Sequence, residues 1–322
     1  MKIAKHENAR QATENWTPIN ARVDGRAYAD RAEWFAIRRT GIGSSDAAAA
    51  TGISEYEGKT PRSLFLVKTG AEPEPDLSDN EAVRIGIALE PVVADMYAER
   101  TGRRLRRSNR VLRDREHPYM LANIDRDVIG ETRLVEIKTV GFLSHGFISP
   151  QWGEDGSPAV PVDVWAQAQH QMSVHGAPIC DVVAFKAGIG LHVHPIERDD
   201  DAIAKMRIVE ARFWQRVLAN DPPEPSTLDE VQMVYPRHAS ISVEASAEIA
   251  QSALRWAELS ARKNADEREI KALRDEIGGF LGEADTLLVR GEPYLTCRAQ
   301  TRAAHAVKES TFRVVRLVKE KK

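Results

Sequence analysis

Leu134-Val135-Glu136-Ile137-Lys138-Thr139 decides how the rest of the sequence is read. Apolar and β-branched residues predict a strand, and its two-residue side-chain period sends Glu136 and Lys138 to one face. A carboxylate two residues before a lysine suits phosphodiester hydrolysis. The carboxylate can hold a hard divalent cation, while the ammonium stabilises an attacking hydroxide or the charge building on phosphorus. An ordinary surface strand with a Glu/Lys pair is the plainer alternative. A second acid is expected close by, and Asp125 fits: it follows an apolar stretch at 119–122 and precedes Val128-Ile129. A hairpin turning through Gly130-Glu131-Thr132 would bring Asp125 beside Glu136.

Outward from this stretch, residues 103–113, 119–128 and 133–140 read as an antiparallel meander, and 179–186 and 191–195 as strands that return to the sheet. Helices are predicted over 30–38, 61–68, 80–100, 161–174 and 199–218, and residues 1–25 show no clear period. Glu90 lies within the apolar 80–100 helix, where Gly86 and Ala94 leave room a turn away, and a buried carboxylate needs a partner such as a metal. Pro91 predicts a kink or a break there. Gly41-Ile42-Gly43-Ser44-Ser45-Asp46-Ala47 is a glycine-rich turn that can cap the helix after it. With Arg38 or Arg39 alongside it could also bind a phosphate, although a plain N-cap is the simpler reading. In the 161–174 helix, Trp165, Ala168 and Met172 are core positions, and Gln167 and Gln171 share a face.

Asp221-Pro222-Pro223-Glu224-Pro225 reads as a linker that divides the chain into 1–225 and 226–322. Beyond it, Ile249, Trp256, Leu259, Ile270, Leu273, Ile277 and Phe280 recur at spacings near three or four within 243–281. That pattern predicts a helical hairpin or short coiled coil, with 261–268 as its turn or its weak point. Short strands at 286–289, 294–298 and 312–318 precede a basic tail at 319–322.

The 322 residues, 42% of them hydrophobic, allow a large domain with a real core and a smaller extension. Cys180 and Cys297 stand alone, which excludes a disulfide framework and a four-cysteine metal cluster. No apolar leader and no run of bilayer-spanning length is found, so a cytoplasmic protein without membrane attachment is expected. The net charge of -3 does not suggest a nucleic-acid partner. Its distribution does: Arg100, Arg103, Arg104, Arg106, Arg107, Arg110, Arg113 and Arg115 face a single acid, Asp114, within 100–115, the local potential that phosphates require. A solvated arginine-rich turn is the alternative.

The block from Trp34 to Asp46, Gly86-x-x-x-Glu90, Asp125, Glu136-Ile137-Lys138 and Gln167-x-Gln169 occur in the order found in the lambda-exonuclease-type (YqaJ-like) viral recombinases, and residues 28–220 resemble that family. It belongs to the PD-(D/E)XK nucleases. The resemblance implies an α+β fold with an α/β core: a restriction-endonuclease-like central mixed sheet flanked by helices, followed here by a helical C-terminal extension. It implies metal ligation by Asp125, Glu136 and the Ile137 carbonyl with Glu90 completing the site, Lys138 as the catalytic lysine, and Gln167 as the active-site glutamine. Arg38 and Ser45 match the residues that bind a terminal 5′-phosphate, Trp34 an aromatic beside that pocket, and Ser44 and Arg39 adjoin them. The family often has Pro before and Gly after the hairpin aspartate. Here Ile124 and Arg126 flank it, which leaves Asp127 as a rival to Asp125.

The activity so implied is 5′-to-3′ exonucleolysis of double-stranded DNA ends, dependent on Mg²⁺ or Mn²⁺, with two ions per site. It leaves 3′ overhangs for a single-strand annealing protein. A trimeric ring and a phage or prophage origin in a bacterial host cell are implied as well. A structure-selective or restriction-like endonuclease of the same fold, or a non-catalytic DNA-binding scaffold, are the rival readings.

Overall fold

A computed structural model describes residues 21–24, 31–107, 110–142, 148–237 and 242–298. Contacts divide the chain into two units, Met1–Ser226 and Thr227–Lys322. The first contains β1 (Ala21–Asp24), α1 (Arg31–Arg38), a 3-10 turn at Ser44–Asp46 that runs into α2 (Ala47–Thr51), α3 (Pro61–Thr69) and α4 (Glu81–Thr101). The strands β2 (Leu105–Arg107), β3 (Val111–Asp114), β4 (Leu121–Asn123), β5 (Arg126–Val128) and β6 (Arg133–Val140) follow. Then come α5 (Val162–His175), β7 (Ile179–Lys186), β8 (Gly190–Glu197) and α6 (Asp200–Ala219).

Five strands form the central sheet in the order β2-β5-β6-β7-β8. β6 and β7 run parallel and every other neighbouring pair runs antiparallel, so the sheet is mixed. A parallel pair needs a crossover long enough to carry the chain back, and α5 is that crossover. Strand alternation then sorts β6 between two cores. Leu134 packs with Ala168 and Met172 of α5 and Val182 of β7. Val135 and Ile137 point the other way, to Val93 and Tyr97 of α4. Each fully buried aliphatic side chain contributes roughly 1.5–3 kcal/mol, so these two layers hold β6 in register. Glu136 and Lys138 share the Leu134 face and meet α5. The architecture is α+β with helices on both faces of a mixed sheet, as expected of the PD-(D/E)XK core.

Two strands expected to be long are each broken and shared between sheets. The expected 103–113 strand divides into β2 and β3, and 119–128 into β4 and β5. β3 and β4 join β1 in a second, three-stranded sheet, while β2 and β5 stay in the first. The switch within the second strand falls at Ile124 and Asp125, so Asp125 stands in a bend and not on the flank of a hairpin strand. β1 lies in a stretch where no element is expected, and it pairs antiparallel with β3. At Pro91 the expected kink or break gives way to one unbroken helix. Pro91 and Ile87, whose carbonyl loses its helical donor, are both exposed, so water can satisfy that carbonyl.

The second unit holds α7 (Leu228–Val234), α8 (Ala247–Leu281), β9 (Thr286–Val289) and β10 (Glu292–Thr296), with β9 and β10 antiparallel. In place of the expected helical hairpin, α8 is one continuous helix of 35 residues. Residues 261–268 contain neither Gly nor Pro and are mostly good helix formers. Lys263 pairs with Glu267 one turn on, at 3.6 Å. The expected strand at 312–318 and the basic tail lie outside the described residues. Among the described residues no helix is long and apolar enough to cross a membrane.

The turn before α2 is fixed to the second sheet by backbone bonds from Ile42 N to Tyr119 O, 2.6 Å, and from Leu121 N to Ile42 O, 2.8 Å. A methyl group on Gly41 would collide with the Tyr119 carbonyl and the Leu121 side chain. Gly41→Ala is therefore expected to lower stability by about 1–3 kcal/mol, read as a lowered urea midpoint at unchanged slope.

Candidate active site

Where the β5–β6 ladder ends, a side chain takes over from the backbone. Asp125 follows β4 in the bend, and its Oδ2 accepts the Ile137 amide at 2.8 Å. On the α5 face of β6, Lys138 Nζ donates to Glu136 Oε1 at 2.7 Å and to Gln167 Oε1 at 2.9 Å. Gln167 Nε2 closes the triangle onto Glu136 Oε1 at 2.6 Å. The other Glu136 oxygen accepts from Gln171 Nε2 at 2.7 Å, and that amide also donates to the Asn123 carbonyl at 3.0 Å. Glu136 is buried, and both its oxygens are engaged.

These neighbours set the charges. Burial, and then Glu136 alongside, push the Asp125 carboxyl up to about 7, against the opposing pull of the Ile137 amide and Lys138. Burial alone would lower Lys138, but the adjacent Glu136 and Asp125 hold it above the usual lysine range. The site thus contains a fixed ammonium and a carboxyl that gives up its proton reluctantly.

Glu90 is placed differently. α4 covers the opposite face of the sheet from α5, and Glu90 Oε1 accepts from the buried Arg126 Nη1 at 2.6 Å. Its charge still reaches Asp125 and adds to the upward push there. Among the described residues no three His, Cys, Asp or Glu side chains are grouped so as to hold a metal. The three acids expected to converge are therefore arranged as a close pair, Asp125 and Glu136, with Glu90 tied to an arginine. Asp127 turns to Arg106, 3.7 Å away, and to His175, 3.5 Å away.

A second cluster surrounds the glycine-rich turn. Arg38 donates from Nε to Glu74 at 2.8 Å, from Nη2 to Asp46 at 2.9 Å and from Nη1 to Ser45 Oγ at 3.3 Å. Its guanidinium also lies 4.8 Å from the centre of the Trp34 ring. Lys68 Nζ donates to the second Asp46 oxygen at 2.7 Å, and the Gly43 amide donates to it at 3.0 Å. These groups line an open cavity of about 950 Å³ with Leu64, Val67 and Ile87 among its apolar walls. Ser45 is exposed at its edge, Ser44 is buried beneath, and Arg39 faces outward.

Gln171, Asn123 and the 54–59 loop are parts of the site that the sequence reading did not assign. The shared face of Gln167 and Gln171 was the signal for the first. The loop is pinned by Asp163, which accepts from Ser54 Oγ at 2.5 Å and the Glu55 amide at 2.9 Å, and it brings Tyr56 within electrostatic reach of Lys138. Nothing in the local sequence announces that link. The arginine run is partly consumed in structure: Arg100 pairs with Asp155, Arg103 with Glu131, Arg106 with Asp127 and, at 4.0 Å, the exposed Arg107 with Glu90, while Arg104, Arg110 and Arg115 are exposed.

Burial works to raise the Asp46 carboxyl, but Lys68 and Arg38 outweigh it and hold the group down at about 2. An acid depressed on folding adds stability above its unfolded pKa of about 4, and that contribution disappears as pH falls through about 2. The wild-type chain is thus expected to lose about 2 kcal/mol more than Asp46→Asn between pH 4 and pH 2, measured by urea unfolding at each pH.

Residues 33–178 match the model of the YqaJ-like viral recombinase domain. The uncharacterized protein YqaJ of Bacillus subtilis is 35% identical over 197 residues, an alignment that takes in 60% of this chain and 58% of that relative's length. Among solved structures, the alkaline exonuclease LHK-Exo from Laribacter hongkongensis is 22% identical, with 59% of this chain and 94% of that one covered at a TM-score of 0.47. A phage-related exonuclease from Haemophilus somnus is 12% identical, with 56% and 96% covered at a TM-score of 0.41. Over residues 33–178, then, this chain is similar to the YqaJ-like viral recombinase domain.

Proposed function

We propose that this chain is a metal-dependent exonuclease that degrades the 5′-ended strand of linear double-stranded DNA and leaves a 3′ overhang. The observation that carries the reading is the Lys138 ammonium held by Glu136 and Gln167 on one strand face, with the Asp125 carboxyl anchored at the next amide. The similarity to the YqaJ-like viral recombinase domain supports it, as do the exposed arginines.

The donor set fits a hard divalent cation. Asp125 and Glu136 offer carboxylate oxygens, and the burial and the Glu136 repulsion that together lift Asp125 are of the kind a cation offsets. Mg²⁺ or Mn²⁺, as two ions, would be held by Asp125, Glu136 and the Ile137 carbonyl, and Glu90 would have to leave Arg126 to complete the set. When bound, such an ion supplies Lewis acidity toward water and phosphate. The chain's own residues do the rest. Lys138 places a positive charge where a phosphoryl oxygen gains negative charge. Gln167 fixes the ammonium through its amide oxygen, and Gln171 keeps Glu136 from turning away. Arg38 and Ser45, with Trp34, Ser44 and Arg39 around them, receive the terminal 5′-phosphate, and a bidentate guanidinium suits that group. A single-strand annealing protein would take up the overhang. A ring-shaped trimer around the duplex, in the cytoplasm of a phage-bearing bacterium, completes the proposal.

End-labelled linear duplexes with and without a 5′-phosphate, incubated with Mg²⁺ or with EDTA, test it. Shortening from the phosphorylated 5′ end only in Mg²⁺ is expected, and cutting of closed circles would oppose the exonuclease reading. Glu136→Ala and Lys138→Ala are each expected to lower the rate on the order of 10²-fold or more while far-UV spectra stay unchanged. Arg38→Ala should erase the preference for a 5′-phosphate, seen as equal rates on the two substrates, with cleavage itself retained.

A further inference from the structure

We propose that α8 is a self-association element through which two copies of this chain pair in antiparallel register. The inference is independent of the nuclease reading. At about 1.5 Å per residue, the 35 residues of α8 extend about 52 Å. Along it, Ile249, Ser252, Trp256, Leu259, Lys263, Asp266, Ile270, Leu273, Ile277 and Phe280 fall at alternating steps of three and four, the seam of a coiled coil. Trp256, Leu259, Ile270, Leu273 and Phe280 are 40% to 81% exposed, and among the described residues only Ile277 of this seam is half-buried. Apolar groups repeating over that length are a large exposed cost for a lone helix, and a second helix of the same kind would cover them.

Charge decides the occupant and its direction. The seam carries charge only at its middle, at Lys263 and Asp266, both exposed. In a parallel pair each would face its own like charge. In an antiparallel pair centred between them, Lys263 of one copy faces Asp266 of the other, twice. The same register sets Leu259 against Ile270, Trp256 against Leu273 and Ile249 against Phe280, so three apolar layers flank the polar one on each side, with Ser252 against Ile277 the one mixed layer between them. On one flank of the seam it brings Arg262 beside Glu269 and Arg255 beside Glu276 of the second copy. Seam and flanking charges therefore agree on one register, and a polar layer that lowers stability while fixing alignment is a known use of such residues.

The test uses the full chain with exposed Cys297 replaced by Ser, buried Cys180 being left in place. A mixture of Ile249→Cys and Phe280→Cys chains should form an inter-chain disulfide under mild oxidation. Ile249→Cys alone should not, since its two copies would lie about 46 Å apart. Lys263→Asp and Asp266→Lys should each weaken association at least about tenfold by sedimentation velocity, and mixing the two variants should restore it. Disulfides between two Ile249→Cys chains, or a self-association constant unmoved by either charge reversal, would overturn the proposal. Any oligomer formed through the first unit persists in all variants and serves as the reference state.

Discussion

Everything in the candidate site depends on one substitution of a side chain for a backbone partner, the acceptance of the Ile137 amide by Asp125. The ladder between β5 and β6 pairs Arg126 with Val135 and Asp127 with Leu134, and then stops. Had the chain continued as a regular strand, Asp125 would have paired with Glu136 across the ladder and a backbone carbonyl would have met the Ile137 amide. The bend between β4 and β5 prevents this and delivers a carboxyl to the edge of the strand that bears Glu136 and Lys138. The same bend sends β4 into the second sheet, where it fastens the glycine-rich turn. Fold and site are therefore joined at a single irregular residue.

The central sheet supplies rigidity on both sides of that residue. α5 carries two glutamines, four residues apart, onto the two oxygens of Glu136. α4 packs on the reverse face and offers Glu90 to Arg126 and not to the cluster opposite. Glu136 could not be buried as an acid without such partners, because an unpaired buried carboxylate would be neutralised or expelled. Its hydrogen bonds and its chemistry are in this sense the same fact.

Much of this was legible in the sequence. Residues 133–140 and 179–186 are apolar runs of strand length bounded by turn residues, and both coincide with the observed strands. Glu136 and Lys138 meet as a two-residue period requires, and the glutamines of α5 share a face as a four-residue spacing requires. What the sequence does not carry is which sheet a short strand joins. The separation of β2 from β3 and of β4 from β5 leaves the hydrophobic pattern intact, and it is set by packing between distant segments. Burial of polar pairs is equally silent: nothing near His170 or Glu210 announces that they meet, fully buried, at 2.8 Å. In α8 a polar stretch reads as a turn by composition, whereas helix propensity without Gly or Pro carries the helix straight through.

The cluster around the glycine-rich turn has a consequence for how an anion would be recognised there. Arg38 and Lys68 are matched one for one by Asp46 and Glu74, so the four formal charges cancel. Such a group exerts little pull at a distance, where only its sum is felt. Its discrimination is of short range, resting on a guanidinium whose orientation is already immobilised before any ligand arrives. Long-range capture of a polyanion would fall to the exposed arginines elsewhere on the surface, and the cavity would act as a gauge of shape for whatever they bring in.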